Sequence, residues 1–196
     1  MASHELTGPF PYPSHPLWKA LARSPILLWR MGLEKVLGQV FALITVTGRK
    51  SGLSRRIVTE YCPYRGKLYI PAAYAPRAQW YRNLMADPRA TVQTWQGAES
   101  LRATRVTDPD ELVAVCAAFR RRNPLMMDAY LRGLGIQPGD AVELAAKRDR
   151  VYILRFDPTD APTPPPLEAD LRWVWPVALG ALLLWQRLRR RRNDRS

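Results

Sequence analysis

Short strand-like segments separated by turn residues constrain the fold of this chain most strongly. β-Branched and aromatic residues are concentrated in six such segments, at 40–47, 55–62, 67–73, 90–95, 100–106 and 150–156. The sequences "PYRG" and "QGAE" are typical of hairpin turns between neighbouring segments. Helical patterns are inserted at 77–87, 109–122 and 125–135, without the regular strand–helix alternation of a parallel sheet. The pattern predicts a mainly β, α+β domain in which an antiparallel barrel of about six strands is flanked by helices.

The N-terminal region divides into an arm and a helical segment. Residues 1–15 contain several prolines and small polar residues and are predicted to form a flexible arm. A helical pattern runs from Pro16 to about Leu37 and restarts at Ser24, a good N-cap residue that precedes Pro25. Its broad apolar face is typical of a helix that packs on the core or, alternatively, of an amphipathic helix on a membrane.

The charge balance indicates an anionic partner. Among 196 residues there are 30 Lys and Arg against 17 Asp and Glu, a net charge of +13. Phosphate, nucleic acid and lipid headgroups all meet this description. Both histidines fall in the N-terminal arm and the two cysteines are far apart, so neither a metal site nor a histidine-based triad is expected. No secretory signal pattern is present at the N-terminus, and a reducing cytoplasmic setting is expected.

The C-terminal region differs in composition from the rest. Residues 158–170 are rich in proline and predict a linker, and residues 171–196 predict a hydrophobic helix with a polybasic tail. The 13 residues from Trp173 to Trp185 carry no charge and six arginines follow them. As a helix these 13 residues cover about 20 Å, less than the roughly 30 Å of a bilayer core. A short span, a half-inserted anchor and docking on the protein's own core are the alternatives.

A membrane location is favoured among these alternatives. The apolar stretch shows no polar face for docking, tryptophans stand at both of its ends, and the arginine tail suits an anionic membrane surface. We therefore expect the protein at the cytoplasmic face of the cell membrane. Nucleic acid is not expected as a partner, because the apolar stretch would have no use in binding it.

The stretch "TVTGRKSG", residues 45–52, places a glycine and two cations directly after an apolar strand. Gly48 is expected to take a positive φ, and successive N–H groups in such a turn can bind an anion. Arg49, Lys50 and Ser51 would add donors, and Arg55 begins the next strand. The spacing is not that of a Walker A loop. Taken alone, the stretch fits either a solvated basic turn or a phosphate site.

The order of motifs after this turn is informative. "TVTGRKSG" is followed by "RRIVTEY" and then by "PRAQWYRNLMADPRATVQ". Over residues 41–107 this arrangement closely resembles the deazaflavin-dependent nitroreductase and quinone reductase family. The resemblance implies a split β-barrel of the FMN-binding-like type, over residues 16–157, that binds coenzyme F(420). FMN is the alternative cofactor, since the loop 72–79 is shorter than in the best-known nitroreductases.

The resemblance also implies which residues bind the cofactor. Arg49, Lys50, Ser51 and Gly52, reinforced by Arg55, would bind the phosphate and acidic tail. Ala72 and Ala73 would lie beside the deazaflavin ring, with Arg77, Trp80, Tyr81 and Asn83 close to the cofactor. No strong general acid is visible, and Tyr61, Tyr74 and Tyr130 are weak candidates for a proton donor. Glu60 is expected near the site, with either it or Tyr61 facing inward.

The implied activity is hydride transfer from reduced F(420) to a lipophilic acceptor such as a quinone or a nitro compound. The alternative is a split-barrel protein without catalytic activity that binds FMN, haem, F(420) or a lipid at the membrane. A homodimer is an open alternative to a monomer.

Overall fold

The computed structural model describes residues 24–193 and contains one antiparallel sheet. Its seven strands pair in the order β2-β1-β5-β6-β7-β4-β3. They are β1 (Phe41–Thr47), β2 (Ser54–Glu60), β3 (Cys62–Tyr64), β4 (Lys67–Pro71), β5 (Arg89–Thr94), β6 (Gly97–Arg105) and β7 (Ile153–Pro158). An antiparallel sheet with flanking helices is therefore confirmed. The sequence-based prediction that falls on residues 1–23, the arm and the first helical turns, lies outside the described residues.

The helices flank the sheet on several sides. They are α1 (Ser24–Arg30), α2 (Glu34–Leu37), α3 (Gln79–Ala86), α4 (Pro109–Arg122), α5 (Pro124–Gly133), α6 (Ala141–Ala146) and α7 (Val174–Asn193). A 3₁₀ turn at Arg148–Arg150 precedes β7. α6 was not predicted; it is a short helix whose N-cap is Asp140, which accepts a bond from the Glu143 N–H. No helix in the part of the chain described here is long and apolar enough to cross a bilayer.

One residue, Tyr61, joins two strands at opposite edges of the sheet. β2 and β3 are the two edge strands in the pairing order, yet only Tyr61 separates them along the chain. The sheet must therefore curl until its edges meet, which is consistent with a split barrel. The expectation of about six strands is corrected to seven, because the single strand predicted at 55–62 changes partner at this residue. Glu60 pairs with β1 and Cys62 pairs with β4.

The pairing register divides the barrel into two ends. β1 finishes at Thr47 opposite Ser54, and on the same side β6 finishes at Arg105 and β4 at Pro71. We call this the Gly48 end. β1 begins at Phe41 opposite Glu60, and β5 turns into β6 on the same side. We call this the Gly38 end. Seven residues of β1 hold the two ends about 20 Å apart.

Two groups of buried side chains stabilise this arrangement. The first fills the barrel and includes Ile44, Ile70, Val92, Leu154 and Phe156. The second lies between the outer face of the sheet and helices α4 to α6. It includes Leu112, Phe119, Met127, Tyr130 and Ile153. Strand β7 is buried on both faces, since Leu154 points into the barrel and Ile153 points toward the helices.

The Pro-rich segment 158–172 packs against the barrel. Thr159 N–H donates to Ser100 O, and Thr163 Oγ1 lies 2.8 Å from both Thr91 Oγ1 and Ser100 Oγ. Gln93 exchanges two bonds with the backbone of Leu167, at 2.7 and 3.0 Å. The segment predicted as a linker is thus held along the outer face of β5 and β6.

The first helix of the second core group has an N-cap that the sequence identifies. The Asp108 carboxylate accepts the Glu111 N–H at 2.7 Å, and Pro109 occupies the first turn. We expect Asp108→Ala to lower the free energy of unfolding by about 1 kcal/mol. Urea denaturation measures this loss. Asp110→Ala, which removes a neighbouring charge from the same turn and no cap, should cost clearly less, and equal losses would contradict the capping role.

Candidate functional site

The turn at residues 48–53 closes on its own backbone. The Gly48 N–H donates to Leu53 O at 2.9 Å, and the Ser51 and Gly52 N–H groups both donate to Gly48 O. The positive φ, +68°, belongs to Gly52. The expectation of a positive φ at Gly48 was wrong. A glycine is needed at position 48 because there is no room for a side chain. A Cβ there would lie 2.9 Å from Ser51 Oγ and 3.1 Å from Leu53 O.

Arg49 connects this turn to helix α3. Its backbone N–H and its guanidinium both donate to Asn83 Oδ1, at 3.3 and 2.9 Å. The guanidinium also donates to Gln79 Oε1 at 3.0 Å. Asn83 is only 5% exposed, so its orientation is fixed by its surroundings. The two halves of the sequence pattern, "TGRKSG" and "QWYRNLMADP", therefore meet in space through Arg49.

Two of the cations around the turn, Arg49 and Arg55, are held by neutral groups. Arg55 donates to Ser51 Oγ at 3.3 Å, and Arg49 is held by two side-chain amides. Among the ion pairs of the described residues, none involves Arg49, Lys50, Arg55 or Arg56. Their positive charge is thus left without a carboxylate partner, which is the electrostatic requirement of a site for a polyanion.

Because side chains alternate along a strand, Arg55 and Arg56 lie on opposite faces of β2. Arg55 pairs with Val46, whose side chain lies inside the barrel, so Arg55 projects from the inward face at the Gly48 end. Arg56 pairs with Thr45 on the outer face. Arg55, which the sequence resemblance selects, is therefore on the same face as the interior of the barrel, and Arg56 is not.

A further arginine at the Gly48 end, Arg105, was not predicted from the sequence. Arg105 ends β6 on the inward face, and its guanidinium lies 4.3 Å from the centroid of the Tyr152 ring. It donates to the carbonyls of Asp149 and Val151. The Tyr81 ring meets Tyr152 edge-on at 5.5 Å. The alternation of "SLRATRV" is the signal for Arg105, because Leu101, Ala103 and Arg105 share one face of the strand.

The loop 72–79 is more enclosed than the sequence predicts. Ala72 has no exposed surface and its N–H donates to Tyr152 O at 2.7 Å. In this conformation Ala72 is covered on all sides, and its position beside a cofactor ring stays a prediction. Ala73 and Tyr74 keep partial exposure and Arg77 is exposed. The Arg82 guanidinium, which donates to Pro76 O at 2.9 Å, ties the loop to α3.

Two neighbouring aromatic residues of α3, Trp80 and Tyr81, differ in their exposure to solvent. Trp80 is partly exposed and packs against the barrel core, with its ring edge-on to that of Tyr81. Tyr81 is 6% exposed. Burial raises the pKa of Tyr81, and the neighbouring Arg105 guanidinium partly offsets this rise. The hydroxyl therefore keeps its proton at neutral pH and can donate a hydrogen bond.

Two of the predicted proton donors, Tyr61 and Tyr130, make hydrogen bonds that stabilise the fold away from the turn. Tyr61 lies at the Gly38 end, far from the turn, and its hydroxyl donates to Gly38 O at 2.8 Å. Tyr130 is buried in the second core group, where its hydroxyl accepts the Tyr152 N–H. Burial raises the pKa of both tyrosines. Glu60, buried and bonded to Asn123, is also at the Gly38 end, so the expectation that it lies near the site was wrong. The third tyrosine candidate, Tyr74, lies in the loop 72–79 and is partly buried against the barrel core.

Comparison with known families identifies the class of protein to which this antiparallel sheet and its basic turn belong. The profile of the F(420)H(2)-dependent quinone reductase family matches residues 32–130, half of the chain. The chain belongs to this family, which makes it an F(420)-dependent oxidoreductase. The match includes the turn, α3 and strands β1 to β6, and ends before β7 and α7. A search of curated protein sequences finds no significant match.

Solved structures of low sequence identity share the architecture in part. An F(420)-H(2) dependent reductase is 22% identical, with 61% of this chain and 95% of that chain covered and a TM-score of 0.40. A domain-swapped dimer is 17% identical, with 72% and 99% covered and a TM-score of 0.46. HutZ, the haem storage protein of Vibrio cholerae, is 12% identical, with 70% and 90% covered and a TM-score of 0.44. At these values the structural likeness adds nothing to the family assignment.

The residues at the Gly48 end fit the cofactor of this family. F(420) carries a phosphate and an acidic tail, and a polyanion of this kind requires uncompensated positive charge with oriented donors. The turn supplies both, since its cations have no carboxylate partner in the described structure and Arg49 is oriented by two amides. The cofactor of this enzyme is coenzyme F(420).

Proposed function

We propose that the enzyme binds F(420) at the Gly48 end of the barrel and reduces a lipophilic quinone at a membrane surface. The single observation that supports this most is the contact of Arg49 with Asn83 and Gln79, because it joins both halves of the family pattern into one basic site. When bound, reduced F(420) supplies the hydride. The chain supplies the binding, the orientation and the protonation environment.

The roles of the turn residues follow from their contacts. Arg49 and Lys50 would bind the phosphate, Arg49 in an orientation fixed by the amides of α3. Ser51 and Arg55, which are bonded to each other, would extend the donor set toward the interior of the barrel. Gly52, with its positive φ, allows the backbone to complete the turn at no steric cost. The same turn with a larger residue at this position would be strained.

Tyr81 and Arg105, which lie next to the barrel interior, would interact with the acceptor. Tyr81 keeps its proton at neutral pH and stands beside the Arg105 guanidinium. A hydroxyl donor and a cation stabilise negative charge that develops on a carbonyl oxygen, which is the change that a quinone undergoes on reduction. Arg105 and Tyr81 are therefore our candidates for the groups that contact the acceptor, in place of Tyr61 and Tyr130.

Comparison of acceptors tests this assignment. With F(420)H(2) in excess and under anaerobic conditions, we expect menadione to be reduced and a nitroimidazole to react more slowly. Tyr81→Phe should lower kcat/KM for menadione by roughly 10-fold to 100-fold. The affinity for F(420) should be unchanged. Tyr64→Phe, which removes a hydroxyl from the β3–β4 hairpin, is the matched control. Unchanged kcat/KM in Tyr81→Phe would remove Tyr81 from the proposal.

A lipophilic acceptor is suggested by the exposed side chains of α7. Seven large apolar side chains, six on this helix and one on the residue before it, are between 46% and 60% exposed, namely Trp173, Trp175, Val177, Leu179, Leu182, Leu183 and Trp185. The sequence continues with Arg187 and four consecutive arginines at 189–192. Exposed tryptophans beside a basic segment favour the interface of an anionic bilayer. We propose that α7 lies in that interface on the cytoplasmic side.

Vesicle binding tests the role of α7. The full-length protein should sediment with vesicles of phosphatidylglycerol and phosphatidylcholine. Replacement of Leu182 and Leu183 by Glu should weaken binding at least 10-fold, because burial of two leucines contributes roughly 3 kcal/mol or more. The matched control replaces Leu125 and Val142, which are 81% exposed on α5 and α6, by Glu. Equal binding by both double variants would contradict the membrane proposal.

A further inference from the structure

Two amide side chains on α3 hold Arg49 from the same face of the helix. Gln79 and Asn83 are four residues apart, a spacing that makes their side chains neighbours on the helix surface. Asn83 Oδ1 accepts from the backbone N–H and from one terminal nitrogen of the Arg49 guanidinium, at 3.3 and 2.9 Å. Gln79 Oε1 accepts from the other terminal nitrogen at 3.0 Å. The guanidinium is thus oriented by two acceptors that carry no charge.

Arginines in other parts of the described structure are held by carboxylates. Six of them form ion pairs with Asp or Glu, namely Arg30, Arg89, Arg120, Arg132, Arg155 and Arg172. In such a pair the carboxylate orients the guanidinium and also offsets its charge. Arg49 is oriented in the same way but keeps its charge.

Neutral acceptors at these two positions are not what the helix itself favours. Gln79 is the first residue of α3, where a carboxylate would interact favourably with the positive end of the helix dipole. The first turn of α3 contains no acidic residue, whereas that of α4 contains two. Asparagine is a weak helix former, yet Asn83 is buried within α3. The contact with Arg49 therefore explains both amides better than helix stability does.

We propose that Asn83 and Gln79 are positioning residues that orient Arg49 without neutralising it, and so leave its charge available for the phosphate of F(420). A carboxylate at position 83 could accept the same two bonds, but its ion pair would compete with the phosphate for the guanidinium. The inference rests on the proposed binding of F(420) at the Gly48 end. It adds that the charge of the two acceptors, besides their geometry, determines the affinity for an anionic cofactor.

The two positions should differ in sensitivity. Asn83 is 5% exposed, so solvent screens a charge placed there only weakly. Gln79 is exposed, and its bond to Arg49 lies at the surface. Ion pairs between exposed groups contribute little, because water and salt screen them. A carboxylate should therefore weaken cofactor binding more at position 83 than at position 79.

Fluorescence titration of the full-length protein with F(420) tests the inference. Asn83→Asp keeps the shape of the side chain and its acceptor oxygen, so a purely structural role predicts unchanged affinity. We expect its Kd to rise at least roughly 10-fold, as for loss of the Arg49 charge. Gln79→Glu should raise the Kd by roughly threefold. The matched control, Gln96→Glu, adds the same charge at the Gly38 end, beyond the roughly 10 Å range of screened charges, and should leave the Kd unchanged.

A double-variant comparison separates positioning from direct contact with the cofactor. Asn83→Ala should raise the Kd less than Asn83→Asp does, because Arg49 loses its orientation but keeps its charge. In an Arg49→Ala background, Asn83→Ala should cause no further loss, since Asn83 acts through Arg49. A further loss of the same size in that background would assign Asn83 to direct contact and overturn the inference.

The remaining outcomes distinguish this inference from the proposed site. If Arg49→Ala weakens F(420) binding and Asn83→Asp does not, the inference is wrong and the site stands. If neither variant changes the Kd, the site at the turn is wrong and the inference falls with it. Urea denaturation shows whether each variant is folded. If the Asn83 variants do not fold, Gln79→Glu still decides, and a Kd equal to that of Gln96→Glu would contradict the inference.

Discussion

Replacement of Arg49 by Ala should raise the Kd for F(420) at least 10-fold while leaving the fold intact. Charge-assisted hydrogen bonds to a phosphate contribute roughly 1.5–3 kcal/mol each, and Arg49 is the oriented cation of the turn. Removing Lys50 as well should raise the loss to at least roughly 100-fold. The fold should survive, because the Arg49 backbone N–H still donates to Asn83 in the variant. Fluorescence titration with F(420) measures both effects.

A matched control separates the site from the net charge. Arg121→Ala removes the same charge from an exposed position on α4 and should leave the affinity within about twofold. Arg49→Lys should give an intermediate loss, because it keeps the charge and loses the planar fork that both amides orient. If Arg49→Ala and Arg121→Ala had the same affinity, the phosphate assignment would be wrong.

Among the single substitutions considered, Gly38→Ala should lower the free energy of unfolding the most. A Cβ at this position would lie 2.3 Å from the Trp95 backbone nitrogen and 2.5 Å from Glu34 O. Both are backbone atoms, so the contact cannot be relieved by rotation of a side chain. The Gly38 carbonyl also accepts bonds from the Tyr61 hydroxyl and the Trp95 N–H, and a shift of the backbone would break them. We expect a loss of about 3 kcal/mol or more in the free energy of unfolding.

Gly180→Ala is the control for this prediction. Gly180 lies within α7, and a Cβ there would meet nothing within 4 Å. Alanine is favoured over glycine in a helix by about 1 kcal/mol, so this variant should be as stable as the original or slightly more so. Urea unfolding followed by circular dichroism compares the two variants. A Gly38→Ala protein as stable as Gly180→Ala would show that the α2–β5 contact is not rigid.

Local signals in the sequence predicted much of the fold. The β-branched runs gave the strands within a few residues, and Asp108 and Asn123 cap the helices that follow them. The hairpin at "PYRG" is confirmed, with positive φ at both Arg65 and Gly66. These features depend on a few neighbouring residues, which is why the sequence contains enough information to identify them.

Features that depend on contacts distant in sequence were not predictable. Nothing local shows that Tyr61 is where the chain crosses between the edges of the sheet. The docking of residues 158–172 depends on bonds to Gln93 and Ser100, more than 50 residues away, so the segment looks like a linker from composition alone. The short helix α6 carries only a weak apolar pattern, and it is stable because Leu144 packs into the second core group.

The candidate site was partly predictable for the same reason. The family pattern selected Arg49, Tyr81 and Asn83; in the structure Arg49 donates to Asn83, and Tyr81 on the same helix packs edge-on against Tyr152. It selected Ala72 by analogy, but burial of that residue depends on Tyr152, which follows it by 80 positions. Arg105 lies outside the quoted motifs and was recognisable only from strand alternation combined with the register of β6 and β7.

A parallel titration of the purified full-length protein with F(420) and with FMN, followed by fluorescence, tests the proposed cofactor site most directly. FMN has a phosphate and a comparable ring system and lacks the acidic tail that the basic turn is proposed to bind. We expect F(420) to bind at micromolar concentration or below, and at least 10-fold more tightly than FMN, with a preference that falls as salt concentration rises. Absence of F(420) binding at micromolar concentration, or tighter binding of FMN, would contradict the assignment of F(420) to the basic turn.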